Sequence, residues 1–537
     1  MHDIKLAIHP VDLIIIIFYL IGIVGLGCWA GIRNRSTTEG KGYFLAGKSL
    51  TWPVIGLALF STNISTIHLV SLAQEGYVNG LAYGNFEWMA AFTLIALALF
   101  FAPFYIRSNV ATLPDFLEKR YSRSCRDWLA VISIISAVFI HIGFSLYTGA
   151  VVLRGLFGIN IMVSIITISI LTGLYTIIGG LLAVVLTESI QTVVLIIGAT
   201  CISAIAYFKL GGWSELAAHV DPVKLTILRS ANDPSGLPWY SVFLGYPIIG
   251  LWYWCADQTI VQRVLGAKDE NHARVGPLFA GFIKILPVFI FVLPGLMCLA
   301  LINQGGLPDE LGDSANTYAF MITHLLPTGL KGIVAAALLA ALMSTVSGAL
   351  NSIATLFSYD IYRRWRPETS DRKLVIIGRI VTFFAMIAAI LWSPFVSHFQ
   401  SIFQGIVAII CYIAPPITVV FVCGVFWRKA SATGALVTLL SGSVVGFAVF
   451  LLDWFKEYTG WNILPMMATF YLFVAGMIVM TAVSLWKPHE HTAESEALVW
   501  KNPLEAIRGE SWSGIGNYKF LSALLFGTMI ALYLVFA

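Results

Sequence analysis

Residues 59–72 read LFSTNISTIHLVSL. They lie inside an apolar segment, 52–72, that at about 1.5 Å per residue is long enough to cross a bilayer. Yet six of the eight positions from 61 to 68 are polar: Ser61, Thr62, Asn63, Ser65, Thr66 and His68. In hydrocarbon each unsatisfied polar group costs several kcal/mol. Two readings account for the run. The hydroxyls bond back onto their own helix while Asn63 ties neighbouring helices together. Alternatively, the helix is broken there and the polar groups line a binding site. The density of polar groups favours the second.

Composition sets the frame for this stretch. The chain has 537 residues, 58% of them hydrophobic and 11% charged, and its mean hydropathy is +0.85. A soluble domain carries about 25% charged residues, so this is a polytopic membrane protein. The net charge of +4 and the lack of a basic block exclude a nucleic-acid partner. Of the seven cysteines, six (Cys28, Cys201, Cys255, Cys298, Cys411 and Cys423) lie in apolar stretches, and no CxxC occurs, which reads as packing.

About 14 apolar spans are expected, at 11–31, 52–72, 84–106, 127–153, 159–179, 181–207, 241–262, 274–302, 329–357, 373–394, 400–426, 432–453, 464–486 and 518–536. The first follows a leader with one lysine and one aspartate and reads as a retained helix. With the N-terminus outside, about 23 basic residues fall in inner loops and about 6 in outer ones. An even span count then puts the C-terminus outside too. No segment between spans exceeds roughly 30 residues, too short for a separate core, so a single transmembrane domain over 1–537 is expected.

A second interrupted span supports the binding-site reading. Span seven, 241–262, contains Gly245, Pro247 and Gly250 ahead of LWYWCADQ. Spans two and seven open two five-span blocks, 52–207 and 241–426. An odd number of spans inverts the second block relative to the first, and matched breaks in inverted halves are the pattern of a secondary transporter. Ionisable residues inside other spans add to it: Glu87 in NFEW, Glu188 in VLTESIQT and Lys284 in GFIKILPVF. Such residues are expensive in the membrane and usually face a cavity or one another. In span nine, AALMSTVSGALNS brings Ser344, Thr345 and Ser347 together. Hydroxyls and the free carbonyls of a broken helix suit a hard cation. Tyr253, Trp254, Phe86 and Phe403 supply flat aromatic faces of the kind that stack on sugars.

At these residues the chain resembles the solute:sodium symporter family, and within it the sodium/glucose cotransporters. The resemblance runs from GKSLTWP to GVFWRK and is carried by LFSTNISTIH, by LYTI ahead of GGLLAVVLTESIQT, by LWYWCADQTIVQR, by LKGIVAAALLAALMSTVSGALNSIATLFSYDIY, and by APPI with GVFWRKASATGA. It implies an all-α integral membrane protein with a LeuT-type fold. In that fold two inverted five-helix repeats follow a leading helix, 11–31, and precede three more, 432–536. It implies Na⁺-coupled monosaccharide symport by alternating access. Carried over by position, the sugar ligands would be Asn63, His68, Glu87, Trp254 and Lys284. Tyr253 would be the inner gate, and Leu72, Phe86 and Phe403 the outer one. Sodium would take the carbonyls of Ser61, Ile64 and Ala341 and the hydroxyls of Ser344 and Thr345.

Three positions depart from the pattern. The glutamine that sugar cotransporters carry on the tenth core helix is Val407 here, with Gln404 one turn away on the same face, where it would take over part of that role. The usual aspartate of the fifth core helix is Glu188. Of the two extra hydroxyls that form a second sodium site in some members, one is Ser347 and the other place holds Gly348. A second sodium would therefore rest on Glu188 and Ser347. The competing functions are uptake of another small solute (inositol, sialic acid or a monocarboxylate) and a sugar sensor or conductance without coupled transport. An enzyme is disfavoured, because the chain has no nucleophile with a base, no HExxH and no P-loop. Short outer loops and the lack of an external N-x-S/T sequon suit a bacterial inner membrane.

Overall fold

The computed structural model describes residues 9–33, 40–398, 402–488 and 491–537, and excludes the side chains at 41 and 402–404. Helix α1 spans Pro10–Arg33, with an acidic residue in its first turn and a basic one in its last, as the helix dipole favours. It turns Ile14, Phe18 and Ile21 outward, as a lipid-facing helix should. Helix α2, Trp52–Asn63, stops where Ile64 leaves helical space at φ −78°, ψ 106°. Helix α3, Thr66–Asn79, restarts after Ser65, whose backbone N–H donates to His68 Nδ1 at 3.2 Å. The break expected in the STNIST run is therefore present, and two of its own polar residues cap the second half.

After α3 come α4, Asn85–Ala96, then α5, Arg123–Phe157, and α6, Ile161–Leu210. Helix α7, Trp239–Leu251, passes into a π-helical turn, Trp252–Ala256. It breaks at Asp257 (φ −85°, ψ 122°), whose carboxylate accepts from Ile260 N and starts α8, Gln258–Leu265. This is the second expected break, five spans after the first. The chain continues as α9, Glu270–Asn303, α10, Leu330–Leu356, and α11, Asp371–Trp392. It ends in α12, Ile402–Phe426, α13, Ala432–Trp454, α14, Pro465–Trp486, and α15, Tyr518–Val535.

Among the described residues eleven helices are long and apolar enough to cross a membrane, against about 14 spans expected from sequence. The difference has a physical cause. The two broken spans do not form one long helix each, and the second half of span two runs on within Thr66–Arg107. Spans five and six are both contained in the 50 residues of α6, which is interrupted at Gly180 (φ 58°, ψ −154°). Only glycine adopts that conformation readily, and a Cβ there would lie 2.5 Å from the Tyr43 carbonyl. The chain bends with no loop between the two segments.

Helix α10 is the centre of the molecule. It packs against α1, α2, α5, α6, α8 and α11, and its alanine- and serine-rich surface is almost wholly buried. Small residues let helices approach closely without lipid between them. Its N-terminus is held from outside the helix: Asp12 of α1 accepts from Gly329 N and Gly332 N, both at 2.8 Å. Two N–H groups at the start of the helix are thereby satisfied. Helices α12, α13 and α14 pack on one another, and α15 lies against α4 and α9.

Candidate solute and sodium sites

A cavity of about 130 Å³ lies between the two helix breaks, room for roughly four waters at about 30 Å³ each. Asn63, His68, Phe86, Glu87, Tyr253 and Trp254 line it. Its floor combines the end of α2, the first turn of α3, the first turn of α4 and the π-helical turn after α7. Such turns widen a helix and recur at functional sites. A larger cavity of about 650 Å³ adjoins it, lined by residues from 234–237 and 453–466 and sharing Phe86 and Val407 with it. These two side chains border both cavities.

The ionisable residues singled out from sequence meet here. Lys284 Nζ donates to Glu87 Oε2 and to Asn63 Oδ1 at 2.6 Å. Asn63 Nδ2 donates in turn to the Tyr253 hydroxyl at 3.2 Å. Because His68 Nδ1 accepts the Ser65 N–H, the ring proton is assigned to Nε2, which lies 3.8 Å from Glu87 Oε1. Glu87 and Lys284 are both buried, and the ammonium also lies 5.7 Å from the Trp254 ring centre. Lys284 does not line the cavity. Its hydrogen bonds go to Glu87 and Asn63, so in this conformation it holds two cavity residues in place. Leu72 is fully buried and does not line the cavity. The side chains of Phe403 and Gln404 lie outside the described residues.

Four of the five expected sodium ligands, the Ser61 and Ala341 carbonyls and the Ser344 and Thr345 hydroxyls, lie together, and the Thr62 carbonyl joins them. Ser344 Oγ donates to the Ser61 carbonyl at 2.9 Å and to the Ala341 carbonyl at 3.0 Å. Thr345 Oγ1 donates to the Ala341 carbonyl at 3.2 Å and the Thr62 carbonyl at 3.4 Å. Two hydroxyls and three carbonyls from the end of α2 and the middle of α10 thus form one cluster of oxygens. The Ile64 N–H still bonds to the Phe60 carbonyl at 2.9 Å, while its own ψ turns the following peptide out of the helix. An all-oxygen set without a full charge is what a monovalent hard cation takes.

Comparison with known proteins decides the class. The profile described as "Sodium:solute symporter family" matches residues 43–442. The chain belongs to the sodium:solute symporter family. The symporter is 34% identical over 479 residues to sodium/glucose cotransporter 4 of Danio rerio, covering 84% of this chain and 73% of that one. It is equally 34% identical to sodium/myo-inositol cotransporter 2 of Sus scrofa over 478 residues, 83% and 71% of the two chains. To the sodium/mannose cotransporter of Bos taurus it is 34% identical over 533 residues, 91% and 89%. A solved Na⁺-coupled sialic acid symporter in an outward-open state shares its fold at a TM-score of 0.78 and 22% identity, covering 90% of this chain and all of the other. The fold is LeuT-type, and Na⁺ is the coupling ion of solute symport.

Glu188 occupies a different setting from Glu87. In the symporter Arg263 Nη2 donates to Glu188 Oε1 at 2.5 Å and Nε to Oε2 at 3.3 Å, and Thr62 Oγ1 donates to Oε1 at 2.9 Å. A cation at Glu188 would have to release this pair. Ser347 Oγ donates to the Ser344 carbonyl at 3.0 Å. A Cβ on Gly348 would lie 2.4 Å from Arg263 Nη2 and 3.1 Å from Glu188 Oε1. The ion pair fills the space that a side chain at 348 would take.

Several residues escaped the sequence reading. Arg263 and Arg274 lie at the edges of the apolar spans 241–262 and 274–302, yet both are fully buried. Arg274 is bonded to Glu270 at 2.9 Å. His141 lines the solute cavity, and its Nε2 lies 3.3 Å from Asp257 at the second helix break. A lone histidine in span four and an aspartate three residues after the aromatic run Trp252–Trp254 were the available signals. Their pairing has no local pattern, because 116 residues separate them.

Proposed function

We propose that the protein carries a neutral monosaccharide, glucose- or galactose-like, into the cell together with Na⁺. One observation carries this reading. A buried carboxylate, Glu87, lines the cavity with its charge offset by Lys284 behind it. A carboxylate accepts two hydroxyl protons side by side. The paired site as a whole is neutral, so a free anion would meet a like charge without gaining a counter-charge. Asn63 and His68 add polar atoms beside it, and Trp254, Tyr253 and Phe86 offer aromatic surface to the apolar face of a sugar ring.

In the cycle Na⁺ binds first to the Ser61, Ile64, Ala341, Ser344 and Thr345 oxygens, and its differential affinity favours the outward-open state. The sugar enters past Phe86 and Val407 and bonds to Glu87, Asn63 and His68. Tyr253, anchored on Asn63, is the inner gate. Leu72, Phe86 and Phe403 form the outer gate, and Gln404 takes part of the role that Val407 has lost. Blocks 52–207 and 241–426 are the inverted repeats that exchange orientation. One Na⁺ crossing 100 mV supplies about 2.3 kcal/mol, and a tenfold gradient adds roughly 1.4 kcal/mol. Together these sustain about a several-hundred-fold sugar gradient. The basic-residue bias supports both termini outside, and the short outer loops suit a bacterial inner membrane.

The test is labelled glucose uptake into proteoliposomes with and without an inward Na⁺ gradient, with galactose, myo-inositol and sialic acid as competitors. Accumulation above the external concentration only with the gradient supports sugar symport. Equilibration without accumulation marks a conductance. Uptake that only inositol or sialic acid blocks moves the solute to that class.

A further inference from the structure

At the solute cavity the second helix break is tied to a helix of the first repeat block. His141 lies in the π-helical segment Ala137–Phe144 of α5 and lines the cavity. Asp257 stands at the break, four residues after Tyr253. Both side chains are buried, and His141 Nε2 lies 3.3 Å from Asp257 Oδ2. A carboxylate offers only acceptors, so the proton between them is assigned to Nε2. The other oxygen of the same carboxylate accepts from Ile260 N at 3.3 Å and starts α8. The His141 ring also lies beside that of Tyr253, 6.1 Å between centres. One carboxylate thus joins α5 to the start of α8, next to the tyrosine that is anchored on Asn63.

From this geometry we infer that His141 and Asp257 are a second latch of the inner gate, a bond that must part before α8 can move away from α5 and release solute inward, and that a proton on His141 tightens it. The inference rests on the symport reading above and deepens it, adding two positioning residues to the gate at Tyr253. Histidine is the side chain that ordinarily changes charge between about pH 5 and 8. A neutral imidazole gives Asp257 an ordinary hydrogen bond, whereas an imidazolium gives a charge-assisted one, roughly twice as strong. Acid therefore strengthens the latch and slows release, and alkali loosens it. The nearby full charges are matched elsewhere: Glu87 and Lys284 hold each other, and Arg263, six residues on in α8, is held by Glu188. His68 lines the same cavity, and His398 ends the short helix Ser393–His398 that packs on the π-helical segment. The other helices packed on that segment contain no charged residue in α10 from 332 to 356, in α11 from 380 to 392 or in α12.

The experiment measures the maximal initial rate of Na⁺-driven uptake of labelled glucose into proteoliposomes of the full-length protein. The same pH is set on both sides and stepped from about 5.5 to about 8, across the histidine range, in the wild type, His141→Gln and Asp257→Asn. The wild-type rate is expected to be about five- to tenfold lower at the acid end, the ratio between a neutral and a charge-assisted hydrogen bond. Glutamine keeps a donor toward Asp257 without a charge, and asparagine keeps an acceptor for Ile260 N. Both variants should run at acid pH at close to their alkaline rate. A flat wild-type profile overturns the inference, and that result needs no variant to fold. An acid slope that persists in His141→Gln or Asp257→Asn also overturns it, because the slope then belongs to another group such as His68. A failure of the sugar reading looks different: the wild type takes up no glucose at any pH. The same pH series with labelled myo-inositol or sialic acid then decides the latch, which is indifferent to the solute.

Discussion

Arg263 and Glu188 face each other at 2.5 Å with neither side chain exposed to solvent. The pair joins α8, which follows the second helix break, to α6 in the first repeat block. Removing one partner leaves an uncompensated charge in a low-dielectric interior, which costs about 3–5 kcal/mol. Arg263→Ala and Glu188→Gln are therefore expected to lower the thermal unfolding midpoint in detergent sharply. The double replacement Arg263→Met with Glu188→Leu is expected to recover most of the loss. A double variant as unstable as the sum of the singles would show that the two charges act independently.

Glu87→Ala removes the acceptor for sugar hydroxyls and strands Lys284. Uptake should fall to background while membrane insertion and sodium-dependent stabilisation persist. Lys284→Met should behave differently. It frees Glu87 and Asn63 to reorient, so the expected effect is a rise in the half-saturating sugar concentration of about ten- to a hundredfold, the range for losing a charged hydrogen bond. Concentration-dependent uptake separates the two, and normal uptake by Glu87→Ala would place the solute elsewhere.

The oxygen cluster at the end of α2 predicts a sodium phenotype. Ser344→Ala and Thr345→Ala each remove one hydroxyl and should raise the half-saturating Na⁺ concentration by about tenfold. Thr345→Ser keeps the oxygen and should leave it near wild type. Sugar affinity at saturating Na⁺ should change little in all three. If Thr345→Ala and Thr345→Ser have the same Na⁺ dependence, the hydroxyl is not a ligand.

Asp12 caps α10 from a different helix. Loss of a capping carboxylate costs about 0.5–2 kcal/mol, so Asp12→Ala should lower the unfolding midpoint by a few degrees without altering specificity. Asp12→Asn retains an acceptor oxygen and should lie between the two. A change in sugar ranking in Asp12→Ala would give this residue a role beyond the cap.

Much of the arrangement was legible in the sequence because its signals are local. STNIST and LWYWCADQ carry too many polar or turn-prone residues for continuous membrane helices, and both break where those residues lie. Glu87 and Lys284 stand out as charges inside apolar spans, and each finds the other. Partnership at a distance was less legible. Arg263 looked like a loop cation because it lies just beyond the apolar run, and only the fold carries α8 back against Glu188. Asp12 sits near the start of the chain and caps a helix more than 300 residues later. Helix count failed for a related reason. Hydropathy gives the length of an apolar run, but it does not report that Gly180 bends the chain without a polar interval.

The fit of Gly348 against Arg263 also constrains how this lineage can change. A serine at 348 would supply the hydroxyl missing from the family's second ion site, and it is a small chemical step. Here that step would drive a Cβ into a guanidinium pinned by Glu188. A side chain at 348 therefore requires the Arg263 guanidinium to move away from its place beside Glu188. The two positions are coupled: what can be accommodated at 348 depends on how the buried ion pair between α8 and α6 is arranged.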